Sequence, residues 1–184
     1  MIKPVLLAAL LWAGTAPAFA QAPNDPAAAV EAFYAVYNTQ RAQGGIPGAT
    51  ARVRYTAVLS PRLNKQLVQA AAAQERLTAK ARGAAPNMLE GDIFSSGFEG
   101  ATSWKVGACQ VTAQTARCPV ALNYFPSTVA NRKPEKPANW HDTVLLVATP
   151  QGWKVDDVVY DTGFASGNTG QLSGMLAMVA ATGP

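Results

Sequence analysis

The chain has 184 residues, 49% of them apolar and 14% charged, with a formal net charge of +4. That length suits one domain with one core, and the charge, without basic-aromatic interleaving, does not point to nucleic acid. Two cysteines and one histidine are poor material for a metal centre.

Met1-Ile2-Lys3 is a short positive segment, Val5 to Ala13 is apolar, and Ala18-Phe19-Ala20 is an A-x-A cleavage pattern. Together they predict a secretory signal peptide over 1–20 and a periplasmic chain beginning at Gln21. The apolar run is too short to span a bilayer, and no cysteine follows the cleavage pattern to carry a lipid. No stable membrane anchor is therefore expected after cleavage. Losing Lys3 takes the formal charge from +4 to +3.

Residues 21–26 read as a leader, with Asp25 able to cap a helix whose first residue is Pro26. From Ala27 to about Arg41, Val30, Phe33, Tyr34 and Tyr37 recur at helical spacing and share one face. Gly44-Gly45 and Pro47-Gly48 end this helix. Residues 49–59 form a short second segment with Val53, Val58 and Leu59 as its apolar positions. Ser60-Pro61 repeats the cap-then-proline signal. The helix that follows runs to about Ala81, with Leu63, Leu67, Ala70, Gln74 and Leu77 on one stripe. Residues 83–101 are punctuated by glycine and anchored by Met88, Leu89, Ile93, Phe94 and Phe98, which predicts a structured loop.

Strands follow. Trp104 to Thr112 and Arg117 to Tyr124 form a hairpin turning near Ala113-Gln114. Cys109 and Cys118 lie in that hairpin, and export favours a disulfide between them. Residues 125–138 are a long basic loop with Arg132, Lys133 and Lys136. Trp140 to Thr149 is the third strand. The fourth, Gly152 to Tyr160, is the strongest strand pattern in the chain. Strict alternation there puts Trp153, Val155, Asp157 and Val159 on one face. Residues 164–184 read as a glycine-rich tail, with Leu172, Met175, Leu176 and Val179 on one side of a terminal helix. The expected fold is α+β: N-terminal helices packed on a curved antiparallel sheet of about four strands, as a cone over residues 27–163.

Charge is uneven. Residues 52–82 carry Arg52, Arg54, Arg62, Lys65, Arg76, Lys80 and Arg82 against Glu75 alone. Such a run is usually a solvated helix face; its functional counterpart is a surface for an anionic partner.

The Phe33-Tyr34 and Tyr37 helix, the Gly91-Asp92-Ile93-Phe94 loop, the Trp104 strand and the Trp153-Lys154-Val155-Asp156-Asp157-Val158 strand carry a resemblance. They resemble the bacterial exported domain-of-unknown-function family 3828, of the nuclear transport factor 2-like (cystatin-like) superfold, over roughly 27–163. The loop keeps only part of the family's fuller D-x-D-P-F pattern. The resemblance implies the cone fold, export and a non-catalytic role. Some relatives stand beside secreted antibacterial toxins, so it also implies an immunity-like role. Cone domains often form homodimers through the open sheet face.

The candidate ligand-binding residues of the cone interior are Tyr34, Tyr37, Asp92, Phe94, Trp104, His141 and Asp157. A non-enzymatic binding or interaction domain would hold a small molecule or a partner's side chain at the cone mouth, rimmed by the basic loop. The alternative is a ketosteroid-isomerase-like lyase or isomerase, with Asp157 as base and Tyr34 or Tyr37 donating to a developing oxyanion. A structural subunit of an envelope assembly is a third option. His141 has no G-x-S-x-G partner motif, and no Walker loop, H-E-x-x-H or dinucleotide fingerprint occurs, so no catalytic triad and no cofactor is expected.

Overall fold

The computed structural model describes residues 25–40, 44–82, 86–126, 136–164 and 167–182. The expected signal peptide, all but the last two residues of the leader, and the centre of the basic loop lie outside the described residues.

Four helices and five strands form an α+β domain: α1 (Pro26–Gln40), α2 (Ala49–Thr56), α3 (Pro61–Lys80), β1 (Ser103–Val106), β2 (Gln110–Val111), β3 (Thr115–Tyr124), β4 (Ala138–Thr149), β5 (Gly152–Val159) and α4 (Leu172–Thr182). The strands make one curved, unclosed antiparallel sheet in the order β1-β3-β4-β5, with β2 also on β3. Local chemistry sets the helix starts. Asp25 Oδ1 accepts from the Ala27 N–H at 3.0 Å, and Pro26 opens α1. Ser60 Oγ accepts from the Leu63 N–H at 3.0 Å, and Pro61 opens α3. Each cap satisfies a donor that the helix cannot, worth about 1 kcal/mol. Pro26 is already helical and buried.

The inner face of the sheet comes from alternate residues. Ala116, Cys118, Val120 and Leu122 of β3 stand opposite Leu146, Val144, Asp142 and Trp140 of β4. All eight are buried. Val30, Phe33, Tyr34 and Tyr37 of α1 are buried in the same core, where each side chain contributes about 1.5–3 kcal/mol. The opposite sheet face is largely open: Thr115, Arg117, Pro119 and His141 are exposed.

Two bulges depart from the expected strands. The first divides Trp104–Thr112 in two. Val106 faces Val120 but Gln110 faces Arg117, so four steps on one strand meet three on the other. Pro119, with no N–H to give, lies at the break; its carbonyl accepts from the Gly107 N–H at 2.8 Å. Cys109 and Cys118 form the expected disulfide just beyond it.

The second bulge corrects the face assignment in β5. Leu146 pairs with Val155 while Leu145 pairs with Asp157, leaving Asp156 as the extra residue. Alternation slips by one there. Val155 and Val158 share the inner side, and Asp157 falls on the opposite side from Val155. Trp153 is half-buried against the core at the end of the strand.

The outer edge of β5 is covered, which removes a pairing hazard. Leu59 bridges Val155 in parallel, and Gln171 bridges Val159. Within the stretch expected as a glycine-rich tail with a terminal helix, α4 spans Leu172–Thr182. Leu172, Leu176 and Val179 of α4 are part of the same core. Val53, expected as an apolar anchor of α2, is instead 73% exposed; Ala51 and Tyr55 are the residues that α2 buries.

Candidate functional site

The interior of the cone is filled with rings. Phe94 stacks on Tyr55 at 4.6 Å between centroids and meets Phe33 edge-on at 5.6 Å. Tyr34 meets Phe33 edge-on at 5.0 Å and stacks on Trp104 at 5.4 Å. Trp104 is half-buried, and its indole N–H donates to Glu31 Oε2 at 2.7 Å. Of the seven candidates, Tyr34, Tyr37, Asp92, Phe94 and Trp104 therefore line one interior, but as packing rather than as the wall of a chamber.

Tyr37 and Asp92 form its polar centre. The Tyr37 hydroxyl donates to Asp92 Oδ2 in a short hydrogen bond and accepts from the Ala101 N–H at 2.7 Å. Asp92 Oδ1 accepts from the Phe94 N–H at 2.6 Å. Asp92 is only 6% exposed. Burial pushes its carboxyl up to about 7, against the pull of these hydrogen bonds, and the charge of Asp142 adds to the rise. Burial, then the Asp92 charge, raise Tyr37 as well. Gly100, at φ +73°, fits against Asp92 and the Tyr37 hydroxyl where no Cβ has room. The crevice that reaches this centre beside Gly45, Pro47 and Ala51 is about 20 Å³, room for one water and no substrate.

Asp142 is a second buried carboxylate, and its role does not follow from its being charged. It accepts from the Ser96 N–H at 2.9 Å, the Ser96 hydroxyl at 2.5 Å, the Asp161 N–H at 3.1 Å and the Trp140 indole at 3.3 Å. Burial raises its carboxyl above the ordinary range, while these four donors hold it down. With the Tyr160 hydroxyl on the Ile93 carbonyl at 2.6 Å, and Asn168 on the Asp92 and Ser95 carbonyls at 2.6 and 2.7 Å, it fastens loop 92–100 to the sheet. The Tyr34 hydroxyl is the exception: it is buried with no hydrogen-bond partner among the described residues.

Asp157 and His141 lie elsewhere. Asp157 Oδ1 accepts from the Ser173 N–H at 2.9 Å, and its other oxygen accepts from the Ser173 hydroxyl, so the carboxylate sits on the N-terminus of α4. The bulge at Asp156 explains why it does not join Tyr34 or Tyr37: Tyr37 is engaged by Asp92 instead. Arg62 clasps Asp156 at 2.7 Å and stands 3.9 Å from Asp157. Partial burial pushes Asp156 up, but the Arg62 guanidinium and the Ser60 hydroxyl together hold it below the ordinary range. His141 is exposed on the open sheet face, and its backbone N–H donates to Asp161 at 2.9 Å.

An open groove of about 280 Å³ lies on the other side of loop 92–100. Phe98, Tyr124, Trp140 and Phe164 wall it, and Glu99 and Lys136 line it as well. Trp140 and Phe164 pack at 5.2 Å between centroids. Gly97 lies flat against the Trp140 indole, where a Cβ would come within 2.7 Å. Phe98 is 51% exposed. Of these residues only Lys136 belongs to a segment read from the sequence as a binding rim, the basic loop; the others were not singled out, although Trp140 and Tyr124 flank that loop.

Among the described residues no group of His, Cys, Asp and Glu side chains is placed to hold a metal ion, and no helix is long and apolar enough to cross a membrane. Comparison of the chain with family models, with curated proteins and with solved structures gives no match.

Proposed function

We propose that this protein is an exported, non-enzymatic binding domain of the bacterial envelope, and that it binds through the groove beside loop 92–100. The observation that carries this reading is how the polar groups are divided. The interior carboxylates Asp92 and Asp142 are occupied by the protein's own donors, and nothing larger than a water reaches Asp92. A general base needs a substrate proton within hydrogen-bond reach. The groove, by contrast, offers ring faces and two charged side chains to the outside. Its size is near the lower end of small-ligand pockets.

Export is supported by the signal pattern at the N-terminus and by the Cys109–Cys118 disulfide. The family resemblance adds the immunity-like version, in which a toxin's apolar side chain would fill the groove.

Two measurements test the reading. Cell fractionation followed by N-terminal sequencing should find the protein in the periplasm, starting at Gln21. Titration with an anilinonaphthalene sulfonate dye should give saturable fluorescence that Phe98→Ala abolishes. A protein held in the membrane by residues 1–20, or a dye response unchanged by Phe98→Ala, would refute it.

A further inference from the structure

The groove's lining specifies more than apolarity. Most of its lining is apolar; apart from the two charged residues, the exceptions are Tyr124, which carries a hydroxyl, and the backbone of Gly97 and Gly100. Ala138 contributes a methyl group, and Trp140, only 2% exposed, offers the groove no N–H, because its indole N–H is turned away to Asp142. Phe98 and Phe164 add rings with no polar atom. A ligand body that is mainly apolar suits this lining, since a polar group placed against the rings would lose water without compensation. The two ionic residues of the groove, Lys136 and Glu99, are both exposed and carry opposite charges. Among the described residues neither forms an ion pair, with the other or with anything else. They are left to meet the ends of a ligand.

A ligand bearing only a carboxylate would be drawn to Lys136 and repelled by Glu99. One bearing only an ammonium group would meet the reverse. A molecule carrying both, on one apolar side chain, complements the whole lining. The volume accommodates a single aromatic or branched side chain, not a polymer. We infer that the groove binds a small apolar zwitterion of the free amino acid class, with its side chain between Phe98, Trp140 and Phe164, its ammonium toward Glu99 and its carboxylate toward Lys136. This inference rests on the groove being the binding surface.

Isothermal titration of the purified protein with L-phenylalanine tests it, alongside phenylacetate and phenethylamine, which each lack one charge. L-phenylalanine should bind with one-to-one stoichiometry, and each of the other two at least roughly tenfold more weakly, the size of one charge-assisted hydrogen bond. Glu99→Gln and Lys136→Met, both at exposed positions that leave the core intact, should each weaken L-phenylalanine by a similar factor. Glu99→Gln should leave phenylacetate no weaker. If phenylacetate or phenethylamine binds as tightly as L-phenylalanine, or if neither variant matters, the zwitterion assignment is wrong. If L-phenylalanine fails while the dye still binds in a Phe98-dependent way, the assignment falls and the groove remains a binding surface. If neither binds, both readings fall together.

Discussion

Loop 92–100 has two sides that are built differently. On the inner side, Asp92 and Ser96 are buried and every polar contact closes within the protein, through Tyr37, the Phe94 N–H and Asp142. On the outer side, the side chains of Phe98 and Glu99 are exposed and make no hydrogen bond or ion pair among the described residues, although the Phe98 carbonyl accepts from the Asp92 N–H at 2.8 Å. Gly97 and Gly100 lie between the two sides, one against Trp140 and the other against Asp92 and Tyr37. The difference separates two jobs that composition alone would merge. Buried carboxylates with raised pKa values are candidates for catalysis in general, yet here both are hydrogen-bonded to the protein's own groups, and those bonds tie the loop that rims the groove to α1 and the sheet.

If that division is right, the inner side governs stability and the outer side does not. The largest effect should come from Asp142→Ala. It strands the Ser96 N–H and hydroxyl and the Trp140 indole, while the Asp161 N–H keeps its bond to Ser96 Oγ, at a cost of at least about 3 kcal/mol in urea unfolding. A cost below about 1 kcal/mol would mean that water replaces the network and that the loop is not pinned by it.

The disulfide comes next. Its two cysteines are nine residues apart, and a loop of that size confers about 2.5–3 kcal/mol through the unfolded chain. Replacing both cysteines by serine should lower stability by that order, with the dye response kept. Loss of the dye response in protein that is still folded would couple the hairpin to the groove.

Asp92 gives the pH test. Its folded carboxyl, at about 7, lies above the ordinary value of 3.8, so the folded state holds a proton that the unfolded state has released between those values. This group's contribution to stability is then greatest below about pH 4, falls as pH rises toward 7, and is flat above. Asp142, raised in the same direction by burial, adds to the fall. Asp156, held low by Arg62 and Ser60 despite partial burial, works the opposite way at the acid end, as does Asp161, held low by the His141 and Gly163 N–H groups. Asp92→Asn keeps an acceptor for Tyr37 and has no proton to lose. It should flatten the slope between pH 4 and 7 and be more stable than the parent at pH 8 by about 1–3 kcal/mol. An unchanged slope would show that Asp92 is ionised in the fold throughout.

The smallest stability effects belong to the outer side. Lys136→Met should change unfolding free energy by less than about 0.5 kcal/mol, as exposed positions usually do, and Phe98→Ala, whose half-exposed ring lies against Gly91, by about 1 kcal/mol. A larger loss at Phe98 would make it part of the core and not of the rim.

The helices were legible because their signals are local. Asp25-Pro26 and Ser60-Pro61 announce α1 and α3, and the Val30, Phe33, Tyr34, Tyr37 stripe names the buried face. The strands were legible in order, but their bulges were not, and one of those bulges divides Trp104–Thr112 into two strands. A bulge at Gly107–Cys109 or at Asp156 is a fact about two strands together, and the sequence presents one at a time. That one slip moved Asp157 from the expected cone interior to the α4 terminus. Asp142 was within reach of sequence reasoning: alternation with Trp140, Val144 and Leu146 puts it inward, as a lone charge on an apolar face. The groove was not, because residues 97–100, 124, 136–140 and 164 meet only once the sheet has curved.

The most direct test compares Asp92→Asn and Phe98→Ala in one dye titration, after circular dichroism has shown both to be folded. Saturable binding that survives in Asp92→Asn and disappears in Phe98→Ala is the predicted result. Binding lost in folded Asp92→Asn and retained in Phe98→Ala would contradict the account, because it would place recognition at the buried carboxylate and leave the groove without a role.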